Sequence, residues 1–316
     1  MRTRMTLLFA VSFLLYAAEL AYGENVSYTK VRWSGVSANV VYVNMASPNV
    51  RVTPALAKNG TGTSETFGAM VERLNPTAAI TGTFFCTRSY RPTGDIVIEG
   101  KLVHSGSVGV ALCVTDQGRV DFKSMREGRT SDWAGCRTVL CTGPTLVRNG
   151  KPSVAPKSEG FRDPEIFRRK PRTAVGMTDS NKLILVTTST PVYLSELAKV
   201  MRHLGAVDAL NLDGGSSTAL YYRGSTIVRP ARSMTNLLVV YETPKLYASY
   251  RSQLAPNMPR TTVASRPAAD PADDLLERLF AARPRRILPY PWQMPAAVSL
   301  GGAGATVITS RGSILN

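Results

Sequence analysis

Histidine is almost missing from this chain. Its 316 residues include only His104 and His203, and its four cysteines, Cys86, Cys113, Cys136 and Cys141, form no Cys-x-x-Cys pair. The usual ligand sets of a zinc site are therefore absent, and no metal or cofactor is expected. No Gly-x-Ser-x-Gly elbow occurs, which removes the common serine-hydrolase nucleophile; only a meeting in space of Ser216 with His104 would restore one. An ATP-type phosphate loop needs a lysine after its glycines, whereas Gly215 is followed by Ser216-Ser217-Thr218. Acidic residues are also scarce, 22 against 38 Lys and Arg, for a formal net charge of +16. The basic residues are scattered and accompany no recognised nucleic-acid motif, so nucleic acid is not the expected partner. An anionic envelope polymer or a phosphorylated substrate accounts for the charge more simply.

The ends differ from the middle. Arg2 and Arg4 precede an apolar run from Leu7 to Ala18, closed by Ala21-Tyr22-Gly23. This pattern predicts a signal peptide over residues 1–23, too short to be a comfortable membrane span, and hence a secreted or periplasmic protein. The competing reading, an uncleaved anchor, is opposed by Glu19, which interrupts the run. Export implies an oxidising compartment, where four cysteines suggest disulfides of open connectivity. Residues 256–316 are rich in Pro, Ala and Arg and are expected to be mostly disordered.

Between them, residues 24–250 alternate short apolar runs with turn residues. Strands are expected at Asn39 to Met45, Val50 to Leu56 and Ala78 to Phe85, and hairpins around Gly100, Gly118 and Asp179-Ser180-Asn181. The run Leu140 to Val147 is a strand broken at Gly143-Pro144. Helical spacing appears twice, in Phe67, Met70, Val71 and Leu74, and in Leu194, Leu197, Met201 and Leu204, the second stopped by Gly205. The prediction is a single strand-rich α+β domain of mostly antiparallel or mixed sheet with two main helices.

One stretch carries chemistry. Asn211-Leu212-Asp213-Gly214-Gly215-Ser216-Ser217-Thr218 lies between two apolar strands, so a carboxylate and two glycines sit in a sharp turn at strand ends. Successive N–H groups in such a turn can form an anion-binding nest beside Asp213. Arg172 at a strand start has the planar fork that suits phosphate. Glu159, Asp163 and Asp95 are candidate partners for Asp213 in carboxylate chemistry.

Together with Thr81-Gly82-Thr83-Phe84-Phe85, Gly143-Pro144-Thr145-Leu146-Val147 and Arg172-Thr173-Ala174-Val175-Gly176, this stretch resembles the phosphodiester glycosidase domain, the family of the lysosomal uncovering enzyme. The resemblance spans roughly residues 40 to 242. It implies one pocket lined by Asp213, Arg172, Gly82, Thr83, Gly143 and the turn Gly214, Gly215, Ser216, Ser217 and Thr218. It also implies hydrolysis of a sugar–phosphate linkage, with Asp213 as nucleophile or base and the phosphate on Arg172 and main-chain N–H groups. The chain departs from the family in Thr81 and Thr83, where an Asn and a Gly are common, and in Ser216, where a third glycine is common. An exported, non-catalytic binder of anionic glycan is the rival reading.

Overall fold

Strands buried on both faces read as continuous apolar runs, and four of them build the centre of this protein. In the computed structural model, which describes residues 24–107, 109–124 and 132–256, β2 (Val36–Asn44), β12 (Thr173–Thr178), β13 (Lys182–Thr188) and β14 (Ala206–Leu212) lie in one seven-stranded sheet. Its order is β1 (Val26–Trp33), β2, β13, β12, β14, β10 (Thr145–Arg148) and β11 (Lys151–Pro152), and every pairing is antiparallel. The pleat divides the apolar side chains. Val41, Val43, Leu183, Leu185, Val175 and Leu210 enter the main core, and Val40, Ile184, Val186, Ala174 and Ala209 enter a second cluster on the other face. That face is covered by α2 (Leu194–His203), through Leu194, Leu197, Ala198 and Met201.

Two five-stranded antiparallel sheets close the main core. One has the order β16 (Ser225–Val228), β15 (Leu220–Tyr222), β4 (Ala78–Thr81), β17 (Asn236–Tyr241), β3 (Arg51–Leu56). The other runs β6 (Lys101–His104), β5 (Ile96–Ile98), β9 (Cys136–Thr142), β7 (Val110–Thr115), β8 (Val120–Ser124). Helix α1 (Phe67–Leu74) buries the four residues its spacing predicted. The Thr66 hydroxyl accepts from Ala69 N–H at its start, and Asn75 ends it in the left-handed conformation. The architecture is thus the expected α+β domain. A third helix, α3 (Pro244–Tyr250), and the edge strand β1 are additions to the expected elements. The expected signal peptide and nearly all of the expected tail lie outside the described residues. No described helix is long and apolar enough to cross a membrane.

Two expectations need correction. The strand expected to run to Phe85 stops at Thr81, because the Asn236 side chain occupies the space beside Gly82 and takes the Thr83 N–H at 2.8 Å. The expected disulfides are not formed: all four cysteines are free thiols. Cys113, Cys136 and Cys141 pack with Val97, Ala111 and Val139 as small apolar side chains, while Cys86 sits apart on a loop.

Helix α2 approaches the sheet at Gly176, where an added Cβ would stand 2.7 Å from Met201 Cε and 2.9 Å from Asp208 C=O. Gly176→Ala is therefore expected to cost about 1–3 kcal/mol by overpacking, read as a lower denaturant midpoint with an unchanged slope.

Candidate functional site

The chain leaves the seven-stranded sheet at Leu212 and enters a five-stranded sheet at Leu220, and the turn between them is stitched to both. Asp213 N–H donates to Gly82 C=O at 3.1 Å, at the end of β4. Gly215 N–H donates to Pro171 C=O at 2.8 Å, just before β12. Thr81 Oγ1 donates to Ser217 C=O and accepts from Ala219 N–H. Gly214 has extended backbone and is needed for space, since its Cβ would stand 3.0 Å from Pro171 C=O. Gly215 needs its freedom for another reason, a φ of +61°.

The other motifs arrive at the same place. Gly143 N–H donates to Asn211 C=O, and Asn211 N–H donates to Pro144 C=O. Phe161 presses on Gly143 and meets Phe84 edge-on, with ring centroids 5.9 Å apart. Glu159 Oε2 accepts Thr145 N–H at 2.8 Å and lies 3.7 Å from where a Cβ on Gly143 would stand. Thr173 pairs with Leu212 and Ala174 with Asn211, so Asn211, Asp213 and Arg172 project to the face that also carries Phe161. All four sequence motifs therefore converge.

Asp213 is half-buried, and its carboxyl pKa is pushed up to about 6. Desolvation is the main cause. The Ser217 hydroxyl, the Gly214 N–H at 2.8 Å and the charges of Arg232 and Lys170 oppose it and keep the rise moderate. The hydroxyls of Thr83, Thr173 and Thr218 and Oδ1 of Asn211 are buried without a hydrogen-bond partner among the described residues. Such atoms are costly in a core, and those of Asn211 and Thr218 adjoin Asp213 in the chain.

Two predicted roles are redistributed. The Arg172 guanidinium, buried at 3% exposure, donates through Nε and Nη2 to the carbonyls of Val192, Ile166 and Arg168, and desolvation lowers its pKa. Its fork holds main chain where a phosphate was expected, so it positions the 166–170 segment against β12. The anion nest is likewise occupied. Gly214 N–H bonds the Asp213 carboxylate, Gly215 N–H bonds Pro171, and those of Ser217 and Thr218 bond Gly214 and Gly215. Ser216 is exposed. Gly82 serves packing, since its Cβ would fall 1.9 Å from Asn236 Oδ1. Asp95 accepts from Gly106 N–H and Trp133 Nε1, and Asp163 caps a short 3-10 turn, so both are structural; Glu159 alone of the candidate partners stands at the site.

The cations that face Asp213 are ones the sequence reading passed over. Lys170 Nζ lies 3.9 Å from the Cβ position of Gly215 and pairs with Glu165, and the Arg232 guanidinium lies 5.3 Å above the Phe85 ring. Their signal was weak but present: Lys170 stands two residues before the Arg172 motif, and Arg232 stands just ahead of the strand that begins at Asn236. Among the described residues no group of three or more His, Cys, Asp or Glu side chains is placed to hold a metal ion.

Residues 75–241 match the phosphodiester glycosidase family. The chain belongs to that family. Among solved structures, a hypothetical protein from Synechocystis superposes with a TM-score of 0.60 at 18% identity, over 70% of this chain and 62% of that one. The present chain thus spans less than two thirds of that protein. The catalytic domain of zebrafish N-acetylglucosamine-1-phosphodiester alpha-N-acetylglucosaminidase, auto-inhibited by its pro-peptide, superposes with a TM-score of 0.56 at 20% identity, over 69% of this chain and 82% of that one. At such identities these likenesses establish the fold. No curated protein sequence matches significantly. In this member of the phosphodiester glycosidase family, the residues common to its motifs meet at Asp213.

A carboxyl whose folded pKa lies near 6 and whose unfolded pKa is about 4 binds more protons when folded over that interval, so its contribution to stability falls as pH rises from about 4 to above 6. Asp213→Asn should therefore be more stable than the parent at pH 8, with the gap closing below pH 4. Denaturant midpoints across this range measure it, and a gap independent of pH would mean that Asp213 is not desolvated.

Proposed function

We propose that this protein hydrolyses the bond between the anomeric carbon of a sugar and the oxygen of a phosphodiester, with Asp213 as nucleophile or base. The observation that carries the reading is a half-buried carboxylate of pKa about 6, flanked by Lys170 and Arg232, at the convergence of the family motifs. Membership in the phosphodiester glycosidase family supports the substrate class.

The chemistry suits few acidic groups. When the carbon–oxygen bond breaks, the departing group is a phosphate monoester whose second ionisation lies near pH 6, so it leaves without the strong general acid that an alcohol requires. Negative charge accumulates on phosphate as the bond opens, and Lys170, Arg232 and the Ser216 N–H are the groups to meet it. Asp213, ionised above pH 6, attacks the sugar carbon or takes a proton from the attacking water. Glu159 is the nearer candidate for a second carboxylate, because its fixed Oε2 stands at Gly143 beside Asn211. Arg172 acts indirectly, by holding the segment that carries Lys170.

The test is release of reducing sugar from a synthetic N-acetylglucosamine 1-phosphate diester, and from the glucose analogue, by the purified protein. Turnover should increase through about pH 6 as Asp213 ionises. Asp213→Asn should lower kcat by about a hundredfold or more while the fold is retained. A pure binder of anionic glycan would retain these ligands and release no sugar. Unchanged turnover in the Asn variant would remove Asp213 from the reaction.

A further inference from the structure

Three large apolar side chains are exposed among the described residues, Tyr90 at 40%, Phe167 at 39% and Tyr193 at 46%. Single exposed aromatics are ordinary on a protein surface. Two of these three pair directly with a cation, and Tyr90 reaches one through a second ring. Lys157 Nζ lies 5.7 Å from the Phe167 ring centroid, and Arg169 Cζ lies 5.2 Å from that of Tyr193. Tyr90 stacks on Phe85 at 6.3 Å, and Phe85 lies under the Arg232 guanidinium.

Each pairing is also linked to the turn at Asp213. Phe167 precedes Arg168, whose ion pair with Glu165 at 2.9 Å is shared by Lys170, the lysine packed on Gly215. Tyr193 follows Val192, which exchanges main-chain hydrogen bonds with Lys170. Arg232 likewise joins Asp213 to Phe85 and Tyr90. Two groups of rings and cations thus adjoin Asp213, one through Lys170 and one through Arg232.

A single glycosyl phosphodiester, with one sugar and one anion, would occupy only the centre of this array. We infer that the substrate is a polymer of sugars joined through phosphodiesters, laid across the Asp213 turn so that the rings take the C–H faces of successive sugars and the cations take the phosphates between them. Sugar faces stack on aromatic rings by apolar contact, and repeated phosphates match a chain with a formal charge of +16. The inference rests on the proposed cleavage at Asp213 only for its reaction; the track of rings and cations stands on its own contacts.

Two measurements separate the track from the chemistry. First, kcat/KM is compared for a single diester and for oligomers of glucose 1-phosphate and of N-acetylglucosamine 1-phosphate. The value should rise with the number of repeats and fall more steeply with salt for the oligomers. Phe167→Ala, Tyr90→Ala and Lys157→Glu, all outside the reacting centre, should each lower kcat/KM for the oligomer about tenfold while changing the single diester less than about twofold. Equal values for single diester and oligomer, or equal losses on both, would overturn the inference and leave the hydrolase reading intact. Second, binding of the same oligomers to Asp213→Asn is read by fluorescence anisotropy against single-stranded RNA of equal charge. Affinity that grows with repeats and is lost in Phe167→Ala supports the track even if no sugar is ever released, in which case only the proposed reaction fails. RNA bound as tightly as the oligomers, or no gain with length, overturns it.

Discussion

A carboxylate can be held half out of water only if the main chain that carries it cannot move to rehydrate it. At Asp213 that constraint is met by pairing its own N–H with Gly82 and the N–H two residues on with Pro171, so the turn is tied to strands of two different sheets. The surrounding sequence follows from those two bonds. Gly214 is small because a Cβ there would stand 3.0 Å from Pro171 C=O, and Gly82 is small because the Asn236 amide fills the space beside it. Arg172 is buried because the segment contributing Pro171 must itself be anchored, and the guanidinium does this through three carbonyls. Residues that read as ligand groups in sequence thus become the frame, and the frame determines how far one side chain is desolvated.

The fold was legible where burial is periodic. Runs such as Leu183 to Thr188 and the apolar stripe of Leu194, Leu197 and Met201 carry their own evidence, because each residue's environment is set by the parity or helical phase of its neighbours. Helix α3 was not, since Pro244 to Tyr250 holds a single buried residue, Tyr247, and shows no stripe. That Asp213 sits in a polar turn at strand ends was legible as well, because glycines beside polar residues there are a local signal; the meeting of the other motifs with it was implied only by the family resemblance. What the partners of those groups would be was not. A nest looks vacant in sequence, yet the carbonyl that takes the Gly215 N–H belongs to Pro171, on another strand. Arg172 looks like a phosphate fork until the carbonyls of Ile166, Arg168 and Val192 are seen around it. In both cases the deciding contact is tertiary, and main-chain carbonyls leave no mark in residue identity. The cysteines misled for a related reason: an even count is compatible with pairing, but three of the four lie in one apolar face where a thiol packs as well as an alanine or valine.

Cations that remain at the surface now acquire the roles that buried groups were expected to fill. Arg172 is desolvated and engaged, so it has little freedom to follow a phosphate whose charge grows during reaction. Lys170 and Arg232 keep their contact with solvent, one paired with Glu165 and the other stacked on Phe85, and both act on the Asp213 charge. Their charges lower the pKa of Asp213 while desolvation, the larger influence, raises it to about 6. An anionic ligand drawn to the same cations would remove part of the lowering influence. Occupancy by an anion would therefore move the Asp213 pKa upward. Tight stitching of the turn is what allows such opposed effects to be set against each other, because a carboxylate free to swing into solvent would feel neither.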